Sequence, residues 1–212
     1  MDIIKEISKN LESGNTGEVV KLTEKAISDH IDVKIILNEG LIGGMSIVGE
    51  RFKNHEIFLP DVLLAAKAMN AAMDILKPLL IKGDVPGLGK VVIGTVQGDL
   101  HDIGKNLVAI LLKGAGFEVI DLGKDVAPEK FLDVAESENA EVVGMSALLT
   151  TTMPVMKTVI ERAKARGFFG KKKFIIGGAP LSADYAREIG ADAYCYDGMN
   201  AVDTVKQLLK VG

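Results

Sequence analysis

A histidine follows an aspartate by two residues in a glycine-rich segment, Gly98-Asp99-Leu100-His101-Asp102-Ile103-Gly104. A neutral imidazole can bind a soft or borderline metal through one nitrogen while a carboxylate holds the N–H of the other. Asp99 is placed to hold the His101 ring in this way. Gly98 and Gly104 leave room for a bulky group close to the backbone. The segment therefore predicts His101 as a metal ligand with Asp99 as its partner.

Two other interpretations of the segment compete with this one. An aspartate beside a histidine is also typical of a capped helix start, and Asp102 can serve as the N-cap. A zinc site is disfavoured, because zinc needs three or four protein ligands and the other histidines, His30 and His55, lie in the N-terminal half. A cofactor that brings its own metal and equatorial ligands needs only one protein ligand. A corrinoid, whose ring supplies the equatorial nitrogens of cobalt, meets this condition.

The segment lies near the start of a region in which short apolar strands alternate with helices. The strands are predicted at 91–96, 117–122, 142–146, 174–176 and 193–196. The helices are predicted at 104–115, 128–138, 153–166, 182–189 and 199–210. This alternation indicates an α/β domain with a parallel sheet, and five strands fit the flavodoxin-like (Rossmann-like) order 2-1-3-4-5. Ligands of such sheets bind beyond the carboxyl ends of the first and third strands, so the loops following Val96 and Val143 are the expected site.

The N-terminal half has helical periodicity instead. Its apolar residues recur at helical spacing from residue 2 to about residue 82, which predicts a four-helix bundle. The last of these helices is predicted to open at Pro60. A segment rich in glycine and proline follows, and it predicts a linker at 84–89 between a helical domain at 1–83 and an α/β domain at 90–212.

The composition excludes several classes of protein. Hydrophobic residues make up 48% of the 212 residues, which indicates a folded chain. The formal net charge of −4 gives no sign of the basic surface that nucleic-acid binding requires. The N-terminus lacks the pattern of a secretory signal, and no apolar run reaches the roughly 20 residues of a membrane span. We therefore expect a cytoplasmic protein that binds neither nucleic acid nor a membrane.

The segment around His101 resembles the Asp-x-His-x-x-Gly signature of cobalamin-binding domains in which a histidine replaces the cofactor's own base on cobalt. Residues 143–150 and 176–179, after the third and fourth strands, are similar to further segments of the same family in order and spacing. The N-terminal half resembles the helical cap of methionine synthase and of the corrinoid proteins in methanol, methylamine and methyl-ether methyltransferase systems. In that cap a Phe-Leu-Pro stretch, here Phe58-Leu59-Pro60, opens the helix above the cobalt.

The resemblance implies roles for individual residues. His101 would be the lower axial ligand of cobalt, with Asp99 as its partner and the Thr152 hydroxyl completing a relay, although Thr152 could equally cap the following helix. Phe58 and Met69 would cover the upper face of cobalt, but Met69 also has the spacing of a plain core residue. The remaining corrinoid contacts would come from Gly98, Leu100, Asp102, Ile103, Gly104, Ser146, Leu148, Thr150, Gly177 and Gly178.

The resemblance also implies a function. The cofactor would be cobalamin or a related corrinoid, carrying a methyl group on cobalt between a substrate-specific methyltransferase and a methylcorrinoid:acceptor methyltransferase, with tetrahydrofolate or a thiol as acceptor. A reductive activase would be a third partner, and the chain would be a non-autonomous component of the system.

Three alternatives remain open at this point. A cobalamin-binding subunit of a mutase shares the histidine loop but is disfavoured by the helical half. A cobalamin-dependent sensor would need a separate output partner. A cofactor-free signalling domain of flavodoxin-like fold predicts no coloured complex with hydroxocobalamin.

Overall fold

A computed structural model describes residues 2–82 and 87–211. The chain divides into two compact units, one of Met1–Pro86 with Gly114–Gly116 and the other of Gly87–Lys113 with Phe117–Gly212. Positions 84–86 of the predicted linker lie outside the described residues, so the linker and the exact domain boundaries stay predictions. No helix in the described part of the chain is both long enough and apolar enough to cross a membrane.

The first unit is helical, as predicted. Its elements are α1 (Ile3–Glu12), α2 (Thr16–Ser28), α3 (Val33–Ile35), a π-helical segment (Ile36–Ile42), α4 (Gly43–Lys53) and α5 (Leu59–Lys82). Because α3, the π-helical segment and α4 follow one another without a break, the described residues form four helical rods. Leu63 and Leu64 of α5 are exposed although they share the helical spacing, whereas fully buried side chains such as Ile7, Leu11 and Leu76 form the core. Each contributes on the order of 2 kcal/mol through removal of apolar surface from water.

Local sequence sets where these helices begin. The Asp2 carboxylate accepts from the Ile4 N–H at 3.2 Å and so caps α1. Asn15 caps α2 in the same way, accepting from the Glu18 N–H at 3.4 Å. Helix α5 begins at Leu59, one residue before the predicted Pro60. The Phe58 N–H there donates to the Asp61 carboxylate at 2.9 Å.

The second unit is the predicted α/β domain. Its strands are β1 (Lys90–Thr95), β2 (Glu118–Asp121), β3 (Val142–Ser146), β4 (Lys173–Gly177) and β5 (Ala193–Cys195). Its helices are α6 (Ile103–Gly114), α7 (Pro128–Ser137), α8 (Pro154–Ala165), α9 (Ala183–Ile189) and α10 (Gly198–Leu209). The sheet is parallel with the order β2-β1-β3-β4-β5, which confirms the predicted topology. Every predicted element of this domain lies within one residue of the observed bounds.

Packing of the sheet places its loops at one edge. Five consecutive residues of β1 are buried, which is typical of a parallel strand covered on both faces. Helices α7, α8 and α9 share one core cluster with β1, β3 and β4, including the fully buried rings of Phe131 and Phe174. Thr95 pairs with Ser146, and Ser146 with Gly177, so the carboxyl ends of β1, β3 and β4 lie side by side. The loops that follow these strands must therefore meet.

Candidate functional site

The loop that carries His101 joins β1 to α6 and is anchored at both ends. The buried Thr95 hydroxyl, at the end of β1, donates to the His101 carbonyl at 3.0 Å. Within the loop, the Asp99 N–H donates to the Val96 carbonyl at 3.1 Å and closes a turn. Gly98 adopts a φ of 84°, in the left-handed region that favours glycine. This geometry fixes the backbone of His101 just beyond the sheet edge.

The Asp99 carboxylate links the loops after β1 and β3. It is fully buried and lies within hydrogen-bond distance of five donors. Oδ1 accepts from the His101 backbone N–H at 3.0 Å and from the His101 ring Nδ1 at 2.8 Å. Oδ2 accepts from the N–H groups of Leu148 at 2.7 Å and Leu149 at 3.1 Å, and from the Thr152 hydroxyl at 2.9 Å. A buried charge is stable only when such bonds replace its lost hydration.

These bonds also fix the ionisation state of Asp99. Burial alone would raise the pKa of the carboxyl, because desolvation penalises the charged form. Hydrogen bonds from the backbone N–H groups of His101 and Leu148, from the His101 ring and from the Thr152 hydroxyl outweigh it. The pKa of Asp99 therefore lies well below its ordinary value, and the side chain is a carboxylate at neutral pH.

The state of Asp99 determines which nitrogen of His101 can bind a metal. An ionised carboxylate can only accept hydrogen bonds, so the proton of the neutral ring must reside on Nδ1. The lone pair then resides on Nε2. No hydrogen bond occupies Nε2 within residues 2–82 and 87–211, and about half of the side chain, 51%, is exposed. The arrangement presents one preorganised imidazole nitrogen at the sheet edge, in the manner of a metal ligand held by a carboxylate.

Thr152 contacts Asp99 instead of capping a helix with its side chain. Helix α8 begins at Pro154 after Met153, and no side-chain hydrogen bond caps it. The buried Thr152 hydroxyl lies 2.9 Å from Asp99 Oδ2 and 2.9 Å from the Leu149 carbonyl oxygen. Its single proton can serve only one of them, and the charged carboxylate is the stronger acceptor. The structure thus places Thr152 beside the Asp99–His101 pair, while its part in a relay stays a prediction.

Replacement of Thr152 by valine tests the strength of this contact. Valine keeps the shape but removes a donor to a buried carboxylate, so we expect the free energy of unfolding to fall by about 1.5–3 kcal/mol. The Thr152→Ser variant keeps the hydroxyl and should lose less than about 1.5 kcal/mol. Urea unfolding at neutral pH measures both. Thr151→Val, at the exposed neighbouring position, is the matched control, and equal stabilities for the valine and serine variants at 152 would contradict the assignment.

The surroundings of His101 are apolar and exposed. Leu100 and Ile103, on either side of it in sequence, are 62% and 78% exposed. Leu148 and Leu149, whose N–H groups bind Asp99, are 44% and 41% exposed. Large apolar side chains grouped at the surface mark a ligand or partner site. One imidazole donor among apolar side chains fits a broad, apolar macrocycle that supplies the other ligands of its own metal, so these residues fit a corrinoid.

Other predicted contacts of the α/β domain lie at the same edge. Gly98 and Asp102 belong to the His101 loop, while Gly104 lies in the first turn of α6, where a Cβ would meet no atom within 4 Å. Thr150 is exposed in the loop after β3. Ser146 is partly buried, and its hydroxyl makes no hydrogen bond to any residue that the structure describes. Their contacts with a cofactor stay predictions.

The two glycines after β4 have an internal reason for their type. Gly178 adopts a φ of 137°, and a Cβ there would overlap the Ala147 carbonyl oxygen. A Cβ at Gly177 would lie 3.2 Å from the Cys195 carbonyl oxygen. Close approach of the Ala147 backbone therefore explains Gly178 without a ligand, and the Cys195 carbonyl leaves little room for a side chain at Gly177. Contact of these two glycines with a corrinoid stays a prediction.

The two predicted contacts of the helical unit have different environments. Phe58 precedes α5, and its side chain is 69% exposed. Met69, on α5, is only 3% exposed within the helical core. The burial of Met69 favours its alternative interpretation as a core residue. Phe58 is the better candidate for a contact with a bound group.

Three contributors to this site did not emerge from the sequence: Thr95, Leu149 and Asp125. Thr95 and Leu149 act through a hydroxyl and a backbone N–H that no motif marks. Asp125 lies in the loop after β2, and its carboxylate accepts from the Gly98 N–H at 2.7 Å. The predicted sheet order placed this loop beside the His101 loop, and that was the available signal for Asp125.

Comparisons with known proteins find matches to both halves of the chain. Two family profiles, each described as a B12 binding domain, match residues 89–206 and residues 3–77. A corrinoid protein of Desulfitobacterium hafniense (strain Y51) is 38% identical over 212 residues, covering 99% of this chain and 98% of that protein. The dimethylamine corrinoid protein of Methanosarcina barkeri is 41% identical over 209 residues, covering 98% of each chain.

A solved structure has the same fold over the whole chain. The methanol:cobalamin methyltransferase complex MtaBC from Methanosarcina barkeri contains a chain that matches with a TM-score of 0.89 and 30% sequence identity. The match covers 99% of this chain and 80% of that one. The protein described here, with His101 held by Asp99 at the edge of its sheet, belongs to the corrinoid proteins built from B12 binding domains.

Proposed function

We propose that this protein carries a methyl group on a corrinoid between two methyltransferases, and that His101 is the lower axial ligand of the corrinoid cobalt. The observation that carries the proposal is the His101 ring, whose Nδ1 lies 2.8 Å from the buried Asp99 carboxylate while half of the side chain is exposed. The cobalt, when bound, supplies the chemistry by taking up the methyl group from one molecule and giving it to another.

The residues of the chain hold and tune this ligand. Asp99 fixes the tautomer and direction of the imidazole. Its charge also makes Nε2 a stronger electron-pair donor to the metal. Leu148, Leu149 and Thr152 hold the carboxylate in place from the neighbouring loop. The exposed side chains of Leu100 and Ile103 would exclude water from the face of the macrocycle next to His101. The chain therefore binds and orients the cofactor, while the substrates bind elsewhere.

Because the chain binds the cofactor and not the substrates, the proposed function requires partner enzymes. One methyltransferase would deliver the methyl group from a small methylated substrate, and a second would transfer it to tetrahydrofolate or a thiol. The names of similar proteins support such partners. One relative is a dimethylamine corrinoid protein, and the solved structure with the same fold is a methanol:cobalamin methyltransferase complex. A reductive activase would restore cobalt that has been oxidised. Selectivity for the methyl donor would belong to the first methyltransferase.

Isotope labelling tests the ligand assignment directly. The protein is produced with ¹⁵N-histidine, reconstituted with unlabelled cobalamin, and reduced to Co(II) for electron paramagnetic resonance. An axial ¹⁴N ligand splits each cobalt line into three, and a ¹⁵N ligand splits it into two, because the nuclear spins differ. We expect doublets from the labelled protein and triplets from the unlabelled one. Triplets from both would show that the cofactor's own base occupies cobalt, which contradicts the assignment.

A labelled methyl group tests the carrier role. The reconstituted, reduced protein is mixed with the methyltransferase that co-purifies with it and with that enzyme's radiolabelled methylated substrate. We expect close to one label per bound cobalt to remain with the protein and to leave on addition of the second methyltransferase and its acceptor. A rearranged substrate without protein-bound label would indicate a mutase subunit and contradict the carrier role.

A further inference from the structure

Asp125 lies in the loop between β2 and α7 and makes two hydrogen bonds to the backbone of the neighbouring His101 loop. Its carboxylate Oδ1 accepts from the Gly98 N–H at 2.7 Å. Its own N–H donates to the Asp99 carbonyl at 3.1 Å. The two peptide groups that flank the Gly98–Asp99 bond are thereby tied to one residue. No other described side chain makes a hydrogen bond to these backbone groups.

A series of backbone hydrogen bonds joins the loop after β2 to the end of β1, and the bond from Asp125 is the furthest along this series. The Leu122 N–H donates to the Ile93 carbonyl at 2.8 Å, and the Thr95 N–H donates to the Gly123 carbonyl at 2.9 Å. The Val126 N–H then donates to the Thr95 carbonyl at 3.0 Å. The loop after β2 therefore follows the end of β1 and extends one step further, to Asp99.

The backbone of Asp125 adopts an uncommon conformation to make these bonds. Its φ of 55° lies in the left-handed region, which is costly for most residues other than glycine. Aspartate and asparagine enter this region more readily, because their short polar side chains bond locally. Uncommon backbone conformations of this kind persist where the surroundings fix them, and they cluster at functional sites.

We propose that Asp125 is a positioning residue for His101, acting through Asp99. The loop after β3 fixes the carboxylate end of Asp99, through Leu148, Leu149 and Thr152. Asp125 fixes the backbone end of the same residue. With both ends of Asp99 fixed, its Oδ1 atom points in one direction. That direction sets the plane of the His101 ring, whose Nδ1 lies 2.8 Å from Oδ1. The inference rests on the proposed role of His101 as the cobalt ligand.

Three substitutions at 125 separate the contributions. Asp125→Asn keeps an acceptor oxygen and tolerates the left-handed backbone, so it should match the wild type. Asp125→Gly keeps the backbone conformation but loses the acceptor, and the ratio of histidine-on to histidine-off cobalt should fall about fivefold, as for one net hydrogen bond. Asp125→Ala loses the acceptor and also resists the conformation, so the ratio should fall by about tenfold or more. Lys124→Ala, at the exposed neighbouring position, is the control.

Two readouts are measured for each variant. The first is the axial-nitrogen splitting of Co(II) in the reconstituted protein with ¹⁵N-histidine. The second is the Nδ1–H signal of His101 in ¹H–¹⁵N spectra of the corrinoid-free protein, which does not depend on cobalt. The signal should be protected from exchange in the wild type and in Asp125→Asn, and weaker or absent in Asp125→Ala. Thermal unfolding is recorded alongside.

The outcomes distinguish the inference from the proposed function. If Asp125→Ala and Asp125→Gly match the wild type in both readouts while a His101 variant loses the axial nitrogen, only the inference is overturned. Lower melting temperatures with unchanged readouts would show a merely structural role, which also overturns it. An Asp125→Asn variant as impaired as Asp125→Ala would show that the charge of Asp125 matters and not its position, which likewise overturns the inference. Absence of a histidine nitrogen in the wild type would overturn both.

Discussion

The His101→Gly variant should fold and still bind the corrinoid, but without a protein nitrogen on cobalt. Asp99 would retain its three contacts with the loop after β3 and would leave a cavity shaped for an imidazole ring. Free imidazole at millimolar concentration should fill this cavity, donate to Asp99 and restore axial ligation. Removal of a side chain that is hydrogen-bonded to a metal ligand lowers metal affinity by about 10–100-fold. Because His101→Gly removes the ligand itself, the affinity for the cofactor should fall by at least this factor. Equilibrium titration with hydroxocobalamin and the Co(II) spectrum measure these effects.

The other two histidines provide the matched control. His30 and His55 both adopt a φ of 59°, so asparagine, which tolerates that conformation, is the suitable replacement. Neither His30→Asn nor His55→Asn should change the cobalt spectrum. A ¹⁵N doublet that persists in His101→Gly produced with ¹⁵N-histidine, without added imidazole, would refute His101 as the ligand.

The sequence predicted the α/β domain to within one residue of each element because its signals are local. Each strand is a short apolar run bounded by turn residues, and each helix carries its own periodicity. The π-helical segment was not predictable in this way. Its apolar residues Ile36 and Leu41 fit an ordinary α-helical stripe, and the wider turn shows in backbone hydrogen bonds such as that from the Gly43 N–H to the Asn38 carbonyl.

The site was predictable as far as its motif extends. Asp99 and His101 are two residues apart, so their pairing follows from local geometry. Thr152 lies 53 positions from Asp99, and its place was carried by the resemblance alone. Asp125 is 27 positions from Gly98, and only the packing of two loops brings them together. Backbone donors such as Leu149 N–H have no side-chain identity to read, so no sequence pattern marks them.

Replacement of Asp99 by asparagine should damage the site more than its similar shape suggests, because the carboxylate accepts hydrogen bonds on both sides. If the amide NH₂ of the variant takes the place of Oδ2, it faces the N–H groups of Leu148 and Leu149, and two bonds to a charged acceptor are lost. If it takes the place of Oδ1, it faces the His101 ring. Nδ1 must then accept, the ring proton moves to Nε2, and the ring can no longer bind a metal.

Either orientation should lower the free energy of unfolding by about 2–4 kcal/mol at pH 7, since bonds to a charged group contribute about 1.5–3 kcal/mol each. The affinity for the corrinoid should fall by about 10–100-fold. Urea unfolding and cofactor titration measure the two effects. Asp203→Asn, an exposed carboxylate on α10, is the matched control.

The dependence of stability on pH separates the charge of Asp99 from its shape. Its pKa in the folded protein lies below the value of about 3.9 for an unfolded chain. Between these two values the unfolded state binds more protons, so stability rises with pH there. The contribution of the carboxylate is complete above about pH 5 and is lost as pH falls towards the folded pKa. The stability difference between the wild type and Asp99→Asn should therefore be constant from about pH 5 to pH 7 and shrink steadily below pH 4. A difference that stays the same down to pH 2 would mean that ionisation of Asp99 contributes nothing to the fold.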